Sequence, residues 1–126
     1  MATESRVSVR YLFLGRLVLS LSVFLLAYKN VKAQVNDLKI DSLKIAVEKL
    51  TEGIEKVNLL SELSDHYYNK SNYSNSMIYA SRSLNLARKI QYPKGIGMNL
   101  HLLGLVNSGL GNFSEAINFQ TEAIKV

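Results

Sequence analysis

Residues 97–126 read G-M-N-L-H-L-L-G-L-V-N-S-G-L-G-N-F-S-E-A-I-N-F-Q-T-E-A-I-K-V. Leu100, Leu103 and Gly104 stand at helical spacing, and Ala116, Ile117, Ala123 and Ile124 line a second helical stripe. Between them Gly111-Asn112-Phe113 has the chemistry of a tight turn. The stretch therefore predicts a helix, a turn and a second helix. The pattern recurs 40 residues earlier with weaker identities: Leu60, Leu63, Ser64, Tyr73 and Ser76 occupy the places of Leu100, Leu103, Gly104, Phe113 and Ala116. Ser71-Asn72-Tyr73 is the earlier turn, and Ala80, Ser83 and Leu84 continue its second helix.

These residues resemble the tetratricopeptide repeat. That family's motif has a large residue, a Leu-Gly pair, a Gly-Asp/Asn-Tyr turn and small residues at two tight positions. The later copy departs from it at Asn107 and Gln120, where the family places aromatics. The 40-residue offset exceeds the family's usual period of about 34, and the surplus falls in residues 86–97. The resemblance covers 57–126, as two repeats at 57–92 and 97–126, and it is to long-period repeats of bacterial sensor and regulator proteins. It implies an all-α fold of antiparallel helical hairpins stacked as a solenoid. It also implies a concave face formed by Asn58, Ser61, Asp65 and Tyr68 in the first repeat and by Met98, His101, Leu105 and Ser108 in the second.

Packing explains the residue types. Two antiparallel helices approach closely only where side chains are small, so Ser64 is expected to face Ser76, and Gly104 to face Ala116. Tyr73 and Phe113 are expected to fill the space beside each turn. Each hairpin leaves one face for its neighbour to cover. With two repeats and no polar capping helix, the final helix would leave Ile117 and Ile124 in water. Burying one such side chain contributes roughly 1.5–3 kcal/mol. The chain is thus expected to be C-terminally incomplete, a piece of a longer protein, with self-association through the uncapped helix as the alternative.

The first 33 residues have a different character. Five basic residues (Arg6, Arg10, Arg16, Lys29, Lys32) face one acid, Glu4, whereas the remainder carries ten basic and nine acidic residues. The net charge of +5 is therefore mostly a property of the N-terminus and gives no support to nucleic-acid binding. An Arg-bearing start, an apolar run at 17–27 and Val31-Lys32-Ala33 read as a signal peptide cleaved before Gln34. The rival reading is an uncleaved membrane anchor over 11–28. It would put Arg16 in hydrocarbon, which is unfavourable by about 2.5–3.5 kcal/mol unless the residue snorkels. The absence of cysteine excludes disulfides, thiolate metal sites and a lipidated cysteine. The leader and the Lys-, Asn- and Ile-rich sequence after it resemble exported proteins of Bacteroidetes-type bacteria, which implies a periplasmic location.

Residues 34–56 read as a linker and a degenerate helix. Residues 36–39 are polar and expected to be loose, and Leu43, Val47 and Leu50 give a helical stripe ended at Thr51-Glu52-Gly53. Helices are then predicted over 55–70, to residue 91, and over 96–110. Met77, Ala80, Leu84, Ala87 and Ile90 share a face of the middle one. Tyr92-Pro93-Lys94-Gly95 is expected to end that middle helix. Asn112 and Glu115 read as a capping pair for the last.

No catalytic, cofactor or metal constellation emerges. Asp65 and His66 are sequence neighbours, so on a helix they diverge by about 100° rather than meeting. Gly95/Gly97 and Gly104/Gly109/Gly111 share glycine spacing with phosphate loops, but no strand precedes them and no Lys-Ser/Thr follows. The glycosylation tripeptides at Asn69, Asn72 and Asn112 coincide with turns and read as structural. Ser61 with Asp65, and His101 with Leu105, stand where chaperone-tail-binding repeats carry Lys and Asn, so that specificity is not expected.

The expected function is an exported scaffold that binds a protein or peptide, with no nucleic acid, no cofactor and no enzymatic activity of its own. The resemblance further implies the periplasmic input region of a sensor histidine kinase, or of a regulator with a helix-turn-helix or cyclase output. A membrane-anchored envelope assembly scaffold is the reading that follows if the leader stays uncleaved.

Overall fold

The computed structural model describes residues 2–126, with side chains from residue 14 onward. Five α-helices and no strand are found among them: α1 (Ala2–Lys49), α2 (Ile54–Asn69), α3 (Tyr73–Lys89), α4 (Pro93–Gly109) and α5 (Phe113–Ile124). Residues 1–39 and 40–126 form two units.

The first unit is the apolar part of α1. Among the described residues this helix alone is long and apolar enough to cross a membrane, with a mean hydropathy of 1.4 in its most apolar window. Leu17, Leu21, Phe24 and Leu25 are all exposed. The Arg6 and Arg10 side chains of the expected positive region lie outside the described ones. The loose segment expected at 36–39 is instead helical, because nothing between Gly15 and Gly53 breaks the helix.

In the second unit, α1 continues to Lys49 and buries Ile40, Leu43 and Val47, one turn apart in succession. It stops at 50–53, as the Thr-Glu-Gly break predicts, and the Lys56 ammonium caps the released Leu50 carbonyl at 3.0 Å. From there the chain folds through three turns of one design. Ser71, Gln91 and Gly111 occupy the left-handed region, at φ 57°, 54° and 80°. At each, the N–H of that residue donates to the carbonyl three back, and the next N–H donates to the carbonyl five back. The pairs are Ser71 to Tyr68 and Asn72 to Tyr67, Gln91 to Arg88 and Tyr92 to Ala87, Gly111 to Ser108 and Asn112 to Asn107. This is the Schellman arrangement. Its last residue is at once the N-cap of the following helix (Asn72, Tyr92, Asn112). The unit repeats its backbone every 20 residues, half the offset visible in the side chains.

Two sequence expectations change here. Tyr92-Pro93-Lys94-Gly95 opens α4 rather than closing α3, because proline suits the first helical position, where its missing N–H has no partner to lose. Asn112 makes no side-chain cap to its helix. Its amide lies 3.5 Å from Asn107 Oδ1 instead. Asn72 does cap, accepting from the Asn75 N–H at 3.2 Å.

The helices pack in sequence, α2 on α3, α3 on α4 and α4 on α5, with α2 also touching α4. Leu60, Leu63, Leu100 and Leu103 are buried in three adjoining apolar clusters with Val47, Val57, Leu84 and Ala87. Ser64 faces Ser76 as expected, with both side chains fully buried, its hydroxyl donating to the Ser76 carbonyl at 2.7 Å and lying 3.0 Å from the Ser76 hydroxyl. The second hairpin differs. A Cβ on buried Gly104 would meet the Gln120 side chain first, while Ala116 is buried and Ala123 half-buried nearby in the same hairpin. Tyr73 and Phe113 are not in equivalent surroundings either. Tyr73 lies over Gly109 of α4, whereas Phe113 is 64% exposed. Ile117 and Ile124 are exposed as expected, at 65% and 87%.

Candidate ligand-binding groove

A Cβ on Gly95 would press on Val57, and Ser61 is bonded to Asn99. Both contacts join residues 38 apart and one helical turn from each other, so α2 and α4 run parallel and in step. Two parallel helices bridged behind by α3 leave a trough on their open side. Here it is a groove of about 550 Å³.

The floor rests on a buried polar cluster that ties three helices together. Ser61, 5% exposed, lies 2.9 Å from the Val57 carbonyl, 2.9 Å from the Ser83 hydroxyl and 3.0 Å from Asn99 Oδ1. Ser83 reaches the same Val57 carbonyl at 2.8 Å, and Asn99 donates to the Gly95 carbonyl at 2.7 Å. Each hydroxyl has one proton, so two of the hydroxyl contacts are made at a time. Among the described residues no buried side-chain polar atom lacks a partner. Such a satisfied cluster is costly to disturb and fixes the helices in register.

Six of the eight residues expected on a concave face line this groove: Asn58, Ser61 and Asp65 from α2, and Met98, His101 and Leu105 from α4. Ser61 belongs to the floor and is buried rather than open to a ligand. The other two lie elsewhere. Tyr68 tilts against Tyr73 at 5.7 Å, and Ser108 lines a second apolar groove between α4 and α5. Glu62, Tyr92, Lys94 and Leu102 complete the lining without having been expected there. The signal for Tyr92 and Lys94 was Pro93, which at a helix start puts both at the groove's mouth.

The groove is apolar along Met98, Leu102 and Leu105 and charged at its edges. Glu62 and Asp65 stand on the α2 wall and Lys94 at the start of α4. His66 Nε2 lies 3.6 Å from Glu62, and Asp65 accepts from the Asn69 amide at 3.0 Å. His101 faces Gln120: its Nδ1 is 2.9 Å from Oε1, and the Gln120 amide donates to the His101 carbonyl at 3.2 Å. No group of three or more His, Asp or Glu residues able to hold a metal occurs among the described residues. The arrangement suits binding by burial and charge.

No protein-family model, curated protein or solved structure matches this chain.

Proposed function

We propose that the chain is a helical-repeat scaffold of tetratricopeptide type that binds a peptide or protein segment in the groove between α2 and α4. The observation that carries this reading is the groove itself: an apolar trough with charged edges, built on parallel helices whose register is fixed from behind by the Ser61–Ser83–Asn99 cluster. The turns at Ser71, Gln91 and Gly111, one design at 20-residue spacing, support a helical-repeat origin. Following the resemblance, we assign the groove as the periplasmic input region of a longer signal-transduction protein. Catalysis then belongs to another segment, and occupancy of the groove biases that segment by differential affinity for its states. The coding sequence beyond codon 126 tests this: a further apolar span followed by a kinase, helix-turn-helix or cyclase domain is expected.

The binding reading is tested by random-peptide display against the full chain in uncharged detergent micelles. Selected peptides are expected to lose affinity for Met98→Asp and Leu105→Asp. Peptides that bind these variants and the wild type alike would contradict the groove assignment.

A second reading is a membrane-anchored envelope scaffold: α1 is long and apolar enough to cross a membrane. Exported material beginning at Gln34 supports cleavage; membrane-bound protein retaining Met1 supports the anchor.

A further inference from the structure

Resting on the membrane-anchored reading, we infer that α1 pairs with α1 of a second copy of this chain. The pair is a parallel coiled coil whose seam leaves the bilayer through Tyr28, Val31, Val35 and Leu38. Leu17, Leu21, Phe24, Tyr28, Val31, Val35 and Leu38 alternate spacings of four and three residues over three heptads. All seven lie in the first unit, on one uninterrupted helix, and all are exposed. From 17 to 27 that helix is apolar all round except for Ser20 and Ser22. Their hydroxyls donate to the Leu17 and Leu19 carbonyls at 2.8 Å, so this run suits hydrocarbon.

Beyond Tyr28 the character changes. Lys29, Asn30, Lys32, Gln34, Asn36, Asp37 and Lys39 are polar, so residues 29–39 belong in water. Yet Val31, Val35 and Leu38 among them are 58%, 57% and 70% exposed. In the second unit, by contrast, Ile40, Leu43 and Val47 of the same helix are buried among residues of α2. The spacing says what covers the exposed stripe. A straight helix drifts about 20° per heptad from a strict seven-residue repeat, and a left-handed pair removes that drift. A helix lying flat on a membrane presents a wider stripe at a period of 3.6. A second copy inserted in the same membrane brings the identical seam in the same direction and at the same depth, so each apolar residue meets its own counterpart. Val35 falls at the a position and Leu38 at d, the choice that favours two parallel strands. At the edges Ala27 faces Lys32 and Gln34 faces Lys39 across the pair, so no like charges are opposed.

The chain has no cysteine, so a single introduced one reports contact without background. The full chain is placed in phosphatidylcholine vesicles and oxidised mildly, as Val31→Cys, Val35→Cys and Leu38→Cys on the seam and as Asn30→Cys, Ala33→Cys and Asn36→Cys off it. A disulfide forms only where two Cα atoms come within about 7 Å. The three seam variants are expected to give several-fold more linked dimer than the three others, at low as well as high protein-to-lipid ratio. Val35→Asp with Leu38→Asp should abolish the dimer of Val31→Cys, whereas Asn36→Asp should leave it. N-terminal sequencing of the membrane-bound chain separates the two levels of the reasoning. If the chain keeps Met1 but all six cysteines link alike, or none of the seam three links, the anchor stands and the pairing is overturned. If the chain begins at Gln34, the anchor falls and the pairing with it.

Discussion

The three turns between α2 and α5 make the same backbone demand on three different residues, and this sets up a measurement. At Gln91, φ is 54°, a left-handed conformation that costs a residue bearing a Cβ about 1–2 kcal/mol. Glycine removes that cost but loses roughly 0.5–1 kcal/mol more conformational freedom on folding. Gln91 is exposed, so little packing is lost with its side chain. Gln91→Gly should therefore stabilise the helical unit by about 0.5–1 kcal/mol. For a domain of this size that is an upward Tm shift of about 2–8 °C. Gln91→Ala is the control, since it removes the same side chain and keeps the strain; its Tm should stay near wild type. Gly111→Ala runs the experiment backwards: φ is 80° and a Cβ there meets nothing within 4 Å, so any loss is conformational and should be about 1 kcal/mol. Melting is followed by far-UV circular dichroism on the full chain in micelles. A Gln91→Gly protein that melts at or below Gln91→Ala would refute the reasoning.

Three further perturbations follow from the packing. Gly109→Ala puts a Cβ 2.8 Å from the Tyr73 ring, so the ring must leave its place against α4; about 1 kcal/mol should be lost in urea denaturation, and Tyr73→Leu in the same chain should recover part of it. Asn99→Leu leaves the buried Gly95 carbonyl and the Ser61 hydroxyl without their amide partner and should destabilise by about 1–3 kcal/mol, against less than half of that for exposed Asn58→Leu. The Lys89 ammonium, hydrogen-bonded to Glu52, holds that carboxyl below the usual carboxylate range. A depressed folded pKa contributes stability that is present at neutral pH and disappears as acid protonates the folded carboxylate. Lys89→Met should thus flatten the fall in Tm between neutral pH and strong acid; an unchanged acid limb would contradict the pairing.

How far the fold was legible depended on where side chains had to differ. Leu60 with Leu63 and Leu100 with Leu103 are buried at matching places, and the apolar period announced them because each faces its own core. Ser64 and Ser76 were readable for the same reason: two close helices leave no room for more. The 20-residue repeat was hidden, since backbone hydrogen bonds make the turns and Ser71, Gln91 and Gly111 perform one backbone role with three chemistries. Pro93 misdirected the reading of 92–95. It forbids helix behind it yet favours helix ahead, and the second effect put Tyr92 and Lys94 beside the groove. Ser61 was expected in the groove, but Ser83 on α3 and Asn99 on α4 draw its hydroxyl inward. Phe113 shows the remaining gap: the motif predicts a filled space beside the turn, but for Tyr73 that space is closed by Gly109 of α4, a residue of a different hairpin, while Phe113 is exposed.

From Ile54 to Ile124 every helix hands the chain directly to the next through a turn whose last residue already caps its successor. Such a chain has no slack in which to absorb a change of length. One residue added inside α3 would swing every later side chain in that helix by about 100°, turning part of its apolar stripe toward water. Growth or shrinkage without repacking is confined to whole helical hairpins, so lineages of this protein should vary in steps of about forty residues, with single insertions tolerated at 50–53.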